Sequence, residues 1–400
     1  MKIVKLGEVV DLFNGSTPLK TNKNYWVDGD IPWFTVDDLR KQGKYITYTE
    51  KFITKLGLKE SSISLIPEGA VLLCCTASVG AIAINKIRLT TNQQFNALVV
   101  KDPEQLLVEF LYYWFLSNMD TLKSLGRATT IDYVSMSKLR DMELQLPPLE
   151  KQSEIVGKLD IAFAEIDLSY LKTSASLEFL TSCFDSYLDS ILQDQILRCG
   201  QKKLVEVLDI ARGGSPRPID SFLTDDLAGV NWIKISDATS SKKYIKETAQ
   251  RIRPEGVSRS RLVNPGDFLL SNSMSFGRPY IMATTGCIHD GWLVLSNNKK
   301  LLNQDYLYFV LGSKYIYEQF NRTAAGSTVR NLNISLAGQV TFPVPDLETQ
   351  EYIVSNLVDF ETSIDELKES LTNKLNKLIE LKNSFLSASF SMKESSEAVA

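Results

Sequence analysis

The residue types able to do catalytic chemistry are few in this chain and widely spaced. His289 is the single histidine. A histidine-rich metal site is therefore excluded, and Ser-His-Asp chemistry could run only through that residue. No G-x-x-x-x-G-K-[ST] loop is present to cradle a nucleotide phosphate, and no G-x-G-x-x-G follows an expected strand. The Asn/Asp-Pro-Pro-Tyr/Phe motif of amino-methyltransferases is also missing, because Leu146-Pro147-Pro148-Leu149 has neither the amide nor the aromatic. Pro345-Asp346 followed by Glu366-Leu367-Lys368 has the residue types of a metal-dependent nuclease. Glu366 and Lys368, however, flank Leu367 inside an expected helix that starts only after Asp346. Three separated residues of common types are weak ground for an enzyme.

The elements that must position any site are written twice. Leu6-Gly7-Glu8-Val9-Val10 returns as Leu204-Val205-Glu206-Val207-Leu208, 198 positions on. Gly15-Ser16-Thr17-Pro18 returns as Gly213-Gly214-Ser215-Pro216. Leu146-Pro147-Pro148-Leu149-Glu150-Lys151-Gln152 returns as Val344-Pro345-Asp346-Leu347-Glu348-Thr349-Gln350, still at 198. An offset that persists from start to end of each copy means two whole domains, and it is too long for a solenoid period of roughly 20–50 residues. Two similar heads on one chain suggest a target with two halves.

Each copy opens with short apolar runs bounded by Gly, Pro, Asn or Asp, the pattern of strands. In the first these are Ile31 to Val36, Gly69 to Leu73, Ala81 to Ile84 and Phe95 to Val100, followed by a helix from Leu106 to Asn118. In the second they are Asn231 to Ile235, Pro265 to Leu270 and Gly291 to Leu295, followed by a helix from Asp305 to Tyr317. A long helix then closes each copy. Apolar or small residues at Ile155, Leu159, Ala162, Ile166, Ser169, Thr173, Ser176, Leu180 and Tyr187 form one seam. Ile353, Leu357, Phe360, Ile364, Leu367, Leu371, Leu378, Leu381, Phe385 and Ala388 form the other. Steps of four and three over about five heptads indicate a coiled coil. The first seam is more polar, so the two helices suit one another better than either suits a copy of itself.

The expected fold is thus α+β: two β-rich domains in tandem, each followed by a long helix, the helices pairing as an antiparallel coiled coil. The boundaries read as 1–147 for the first head, 148–198 for the central helix, 199–345 for the second head, 346–390 for the last helix and 391–400 for a disordered tail. A hydrophobic content of 44% supports packed cores. The N-terminus carries no apolar signal core, and no apolar run reaches the ~18 residues of a membrane span. The five cysteines show no C-x-x-C spacing and no partners across the repeat, the usage of reduced thiols in a cytoplasmic protein. A net charge of −4 argues against coating nucleic acid by bulk charge.

The join between head and helix carries a family resemblance. Ala128-Thr129-Thr130-Ile131-Asp132-Tyr133-Val134-Ser135-Met136-Ser137-Lys138-Leu139-Arg140, then Leu144 to Gln152, is similar to the specificity subunit of type I restriction–modification systems. So are its second-copy counterparts, Ala325 to Asn333 and Phe342 to Gln350, the Gly-Ser-Thr-Pro entry, and Thr91-Asn92-Gln93-Gln94-Phe95. The second copy departs in having Ile288-His289-Asp290-Gly291 where the first has Asn-Gln-Gln, and Asp346 where a second proline is usual.

The resemblance implies a non-catalytic reader of double-stranded DNA. Each head would bind half of a bipartite site, while the helices set the gap and dock methyltransferase subunits, two of them. S-adenosylmethionine, ATP and Mg²⁺ would bind those and the motor–nuclease restriction subunits, leaving no cofactor or metal for this chain. The rival is a coiled-coil scaffold whose heads bind other ligands.

Reading bases calls for Arg or Lys toward guanine, Asn or Gln toward adenine, and hydroxyls toward either. The first-head candidates are Lys20, Lys23, Asn24, Thr76, Ser78, Thr91, Asn92, Gln93, Gln94, Arg127 and Thr130. Those of the second are Arg212, Arg217, Ser271, Asn272, Ser273, Arg278, His289, Ser327, Thr328, Arg330 and Asn331. Arg251, Arg253, Arg259 and Arg261 form the densest positive run and suit phosphate. Asn92 and Gln93 fit a turn as well as a contact. Trp33 and Trp232 fit the core better than a base stack, and His289 fits a satisfied loop residue.

Overall fold

The computed structural model describes residues 2–76, 80–126, 134–241, 243–272, 277–297, 300–324 and 332–390. The chain forms two compact units, one of Met1–Thr173 with Lys374–Ala400 and one of Ser174–Asn373.

In the first unit a five-stranded sheet runs in the order Val10–Asn14, Phe95–Val100, Val71–Cys74, Ile82–Asn85, Tyr45–Ile46. Its middle strands are largely buried on both faces, mostly apolar with Asn85 and Asn96 as buried polar residues. Alternation sorts the side chains. Val71, Leu73, Ile82 and Ile84 join a core shared with the helix Val108–Ser117 and with Ile155, Leu159 and Phe163. Leu72, Cys74 and Ala83 join a second core with Phe34 and Phe95. The strand Ile31–Phe34 pairs antiparallel with Phe52–Ile53 and parallel with Thr90–Thr91.

The second unit repeats the plan. Its main sheet runs Asp209–Arg212, Trp292–Ser296, Phe268–Ser271, Pro279–Met282, Tyr244–Ile245. Phe268 and Leu270 face one core with Leu307 and Leu357, and Leu269 faces the other with Tyr280 and Trp292. The strand Val230–Ile233 lies parallel to Gly286–Ile288, with Trp232 beside Cys287, as Trp33 lies beside Thr90. The expected strands are present, shifted by up to three residues at their ends.

The first expected short helix is present, two residues shorter at its start and one at its end, and the second is interrupted at Ser313. Val108–Ser117 gives way at Asn118 to Met119–Gly126. There the Asn118 amide donates to the Trp114 carbonyl at 2.8 Å. Gln304–Gly312 gives way at Ser313 to Lys314–Ala324. Ser313 is extended, and its Oγ accepts from Ile316 N–H at 3.2 Å, capping the next helix.

The long helices are Leu149–Cys199 and Leu347–Phe390. Within each unit, segments of the two run antiparallel. In the first unit Asp167 pairs with Lys382 at 2.7 Å, and Leu386 packs into the core that holds Ile155, Leu159 and Phe163. In the second, Phe360 lies 4.6 Å from Tyr187, and Ile353 and Leu357 share a core with Leu188 and Leu192. Ile166 and Ile364 are buried, while Leu180, Leu371 and Leu378 are half-buried. Leu367 is 52% exposed, and Leu381 and Phe385 are also outside the stripe. The stripe passes instead through Lys368 and Lys382, which are half-buried. Lys382 lies 4.4 Å from the Phe163 ring centre. Lysine stems fill seam positions that a purely apolar pattern skips.

Each long helix is anchored at its start by a glutamine of the repeated motif. Gln152 and Gln350 are wholly buried. The Gln152 amide accepts from Leu107 N–H at 2.9 Å and donates to the carbonyls of Gln105 and Pro147, each at 2.8 Å. Gln350 accepts from Asn303 N–H at 2.7 Å and donates to Leu301 and Pro345.

Candidate nucleic-acid interface

In each head the strand that opens the main sheet ends in a turn pressed against the strand-exit loop of the second sheet. Gly15 N–H donates to Phe95 O at 3.0 Å, and Ser16 N–H to Thr91 O at 2.9 Å. Gly213 N–H donates to Trp292 O at 2.9 Å, and Gly214 N–H to Ile288 O at 3.1 Å. A Cβ on Gly15 would lie 1.9 Å from Asn92 O, and one on Gly213 would lie 2.0 Å from His289 O. Backbone meets backbone there, so only glycine fits. Gly15→Ala or Gly213→Ala is expected to destabilise its own unit by about 3 kcal/mol. Hydrogen exchange should show lost protection confined to the altered head.

The loop this turn supports is built alike in both heads from unlike residues. Asn92 Oδ1 accepts from Gln94 N–H at 2.9 Å, and its amide donates to Gln94 Oε1 at 3.0 Å. This is an Asx turn. His289 Nδ1 accepts from Gly291 N–H at 2.9 Å and holds the same turn. The His-Asp-Gly run is therefore the spatial counterpart of Asn-Gln-Gln, which the residue types alone conceal. One residue on, Thr17 Oγ1 donates to Gln93 Oε1, and Ser215 Oγ donates to Asp290 Oδ1 at 2.8 Å.

Burial holds His289 below its ordinary value of 6.5, with Lys234 adding to the effect and Asp290 opposing it. The neutral ring, with Nδ1 accepting, carries its proton on Nε2. A depressed histidine contributes stability that is full above 6.5 and lost as pH falls through the folded value. The urea midpoint should therefore fall from about pH 7 to about pH 5, and His289→Asn, which can make the same turn, should flatten that part of the profile. An unchanged profile in His289→Asn would refute the assignment.

Beside each loop lies a cleft. The first, about 410 Å³, is lined by Lys20, Trp26, Trp33, Thr35, Lys51, Asn92 and Gln94, among others. The second, about 970 Å³, is lined by Arg217, Trp232, Lys234, Gln250, His289 and Asp290, among others. Trp33 and Trp232 hold matching places as core residues, 4% and 3% exposed. Trp26 packs edge-on against Trp33 at 5.0 Å in the first head. Lys51, Lys234, Thr35 and Gln250 were not among the candidates. The signal for Thr35 and Lys234 is their shared place two residues after the matched tryptophans.

The remaining candidates divide by position. Lys20, Lys23 and Asn24 are exposed, and of the three Lys20 lines the first cleft. Gln93 is exposed and Gln94 half-buried, whereas Thr91 is buried in its strand. Thr76 is half-buried, with its hydroxyl oxygen enclosed and unpartnered. Arg212 Nε donates to Asp290 O at 3.0 Å, and the Arg217 guanidinium lies 3.8 Å from the Asp290 carboxylate. Ser271 and Asn272 are buried, and the Asn272 amide donates to Asp290 O at 2.8 Å, bracing the loop from beneath. Arg278 lies elsewhere, in a cleft with Phe184, Lys314 and Glu361. Ser78, Arg127, Thr130, Ser273, Ser327, Thr328, Arg330 and Asn331 lie outside the described residues, as do residues 391–400.

The arginine run is divided by the sheet. Arg251 sits opposite Asn231, Arg261 opposite Ile288, and Arg259 lies 5.6 Å from the Phe222 ring centre. No ion pair engages Arg251, Arg253, Arg259 or Arg261 among the described residues. Asp346, the acid of the nuclease-like pattern, accepts from Thr349 N–H at 2.7 Å and caps the second long helix. Glu366 lies twenty residues further on, about 30 Å along a helix, too far to share a metal with it.

Comparison with known proteins gives a consistent result. The family described as "Type I restriction modification DNA specificity domain" matches residues 1–178 and again 200–377. The MjaIX specificity subunit of Methanocaldococcus jannaschii is 38% identical over 161 residues, 40% of this chain and 36% of that one. The EcoprrI specificity subunit of Escherichia coli is 30% identical over 39% of this chain and 40% of that one. These alignments therefore span well under two thirds of either relative. Among solved structures, one described as "complex assembly and conformational transition of the type I R-M system" aligns with a TM-score of 0.75 at 20% identity, covering 97% of each chain. The HsdS subunit from Thermoanaerobacter tengcongensis aligns with a TM-score of 0.59 at 19% identity, covering 97% of this chain and 96% of that one.

Proposed function

The chain belongs to the type I restriction–modification DNA specificity family, and from that premise we propose that each head binds one half of a bipartite duplex site. The observation carrying this reading is the turn, loop and cleft built twice on one frame from different side chains. A shared frame fits a shared ligand, the duplex backbone. The differing side chains fit two different half-sites. The chain contributes recognition and no catalytic step. The two long helices set the gap between half-sites and dock two methyltransferase subunits. Those subunits bring S-adenosylmethionine, and restriction subunits bring ATP- and Mg²⁺-dependent cleavage, all in the cytoplasm. The exposed arginines of the second head meet phosphate. With a net charge of −4, the chain leaves much of the phosphate neutralisation to its partners.

The test is selection of bound duplexes from a random library by the full chain co-purified with its methyltransferase subunits. Two short motifs at a fixed gap are expected. A stable complex that enriches no sequence, with no salt-dependent affinity for DNA, would favour the scaffold reading.

A further inference from the structure

We infer that Gln93 in the first head, and Arg217 steadied by Asp290 in the second, are the residues that discriminate bases. The first head's half-site then contains an adenine read by Gln93, and the second head's contains a G·C pair read by Arg217. This inference rests on the proposed DNA-reading function and deepens it.

The two loops hold the same frame, so their differences are informative. Asn92 and His289 make the turn, and their acceptor atoms are engaged by the N–H two residues on. They set the loop, and Asn92 is buried as well. The next residue is anchored by the same hydroxyl in each head, Thr17 on Gln93 and Ser215 on Asp290. It is here that the chemistry diverges. The Gln93 side chain is exposed. With Thr17 on its oxygen, it keeps two N–H donors and a second lone pair. That is the donor–acceptor pair that meets adenine N7 and N6.

Asp290 offers only acceptors, and alone it would repel phosphate. Its carboxylate instead lies 3.8 Å from the Arg217 guanidinium, whose side chain is 82% exposed. Its main-chain oxygen is fixed by Arg212 at 3.0 Å and Asn272 at 2.8 Å. A planar fork with a carboxylate close by to bias its position, and its donors still open, is the arrangement that meets guanine O6 and N7 in two hydrogen bonds. Arg217 and Asp290 also line the cleft beside the loop.

The experiment repeats the library selection with the full chain in its methyltransferase complex, carrying Gln93→Ala, Arg217→Ala or Arg217→Lys. Gln93→Ala should reduce discrimination at one A·T pair of one half-site about tenfold and leave the other half-site intact. Arg217→Ala should do the same at one G·C pair of the opposite half-site. Arg217→Lys keeps the charge but loses the rigid fork, so it should restore affinity while recovering only part of the guanine preference. Both side chains are exposed, so thermal midpoints should not move. Unchanged motifs in Gln93→Ala and Arg217→Ala would overturn the inference. Lower affinity in Arg217→Ala with the guanine preference retained would reduce Arg217 to a phosphate contact. If the unaltered complex enriches nothing, the DNA-reading function itself fails, a separate result.

Discussion

Removal of one heptad from each long helix, at matching seam positions, is expected to shorten the preferred gap while leaving both half-sites unchanged. Seven residues remove about 10 Å of helix, the rise of about three base pairs at 3.4 Å each. That is an upper bound. Each base pair removed also turns the groove by about 34°, and heads that follow the groove accept a smaller change. Because seven residues preserve the 3.5-residue seam, the helices can still pair. On the original site one head would then lose its half, and affinity should drop toward the non-specific level, about 10³-fold or more. Library selection reads both results at once. An unchanged gap would defeat the spacer role of the helices.

Gln152→Ala and Gln350→Ala should each destabilise the unit in which the glutamine lies by about 3 kcal/mol. Each amide closes one N–H and two carbonyls in a fully buried space. Truncation leaves all three without partners, and buried orphan groups cost about 1–3 kcal/mol apiece before relaxation. Gln→Glu should rescue little, because a carboxylate cannot donate to the two carbonyls. Urea unfolding of the full chain, followed by hydrogen exchange in each unit, tests both. Loss below about 1 kcal/mol would mean that water replaces the amide. The effect should also reach function, since the glutamine fixes where the long helix starts relative to the head.

The repeat, the strand-rich heads and the paired helices were legible from spacing, because periodicity follows directly from which faces are buried. What escaped was set by contacts distant in sequence. His289 and Asn92 share no chemistry except an acceptor atom at the right place, so only the structure reveals that they hold one turn. Leu367 fits the heptad as a letter, but Lys368 takes its place once lysine stems are allowed to pack. Asn272 looked like a reader and is a buried brace. Burial separates those roles, and it depends on strands far apart in the chain.

The composition of the first unit also sets an order of manufacture. It needs Leu386 against Ile155, Leu159 and Phe163, and Lys382 against Asp167. On the ribosome the head and the opening of the central helix emerge early, but the segment that seals them is made only after the whole second head. Through that interval the first head carries an uncovered apolar stripe, while the second unit, Ser174–Asn373, is contiguous and can close as it emerges. The half of the protein that is synthesised first is completed last, so a chain truncated just after Asn373 keeps every residue of the second unit and lacks the segment that seals the first.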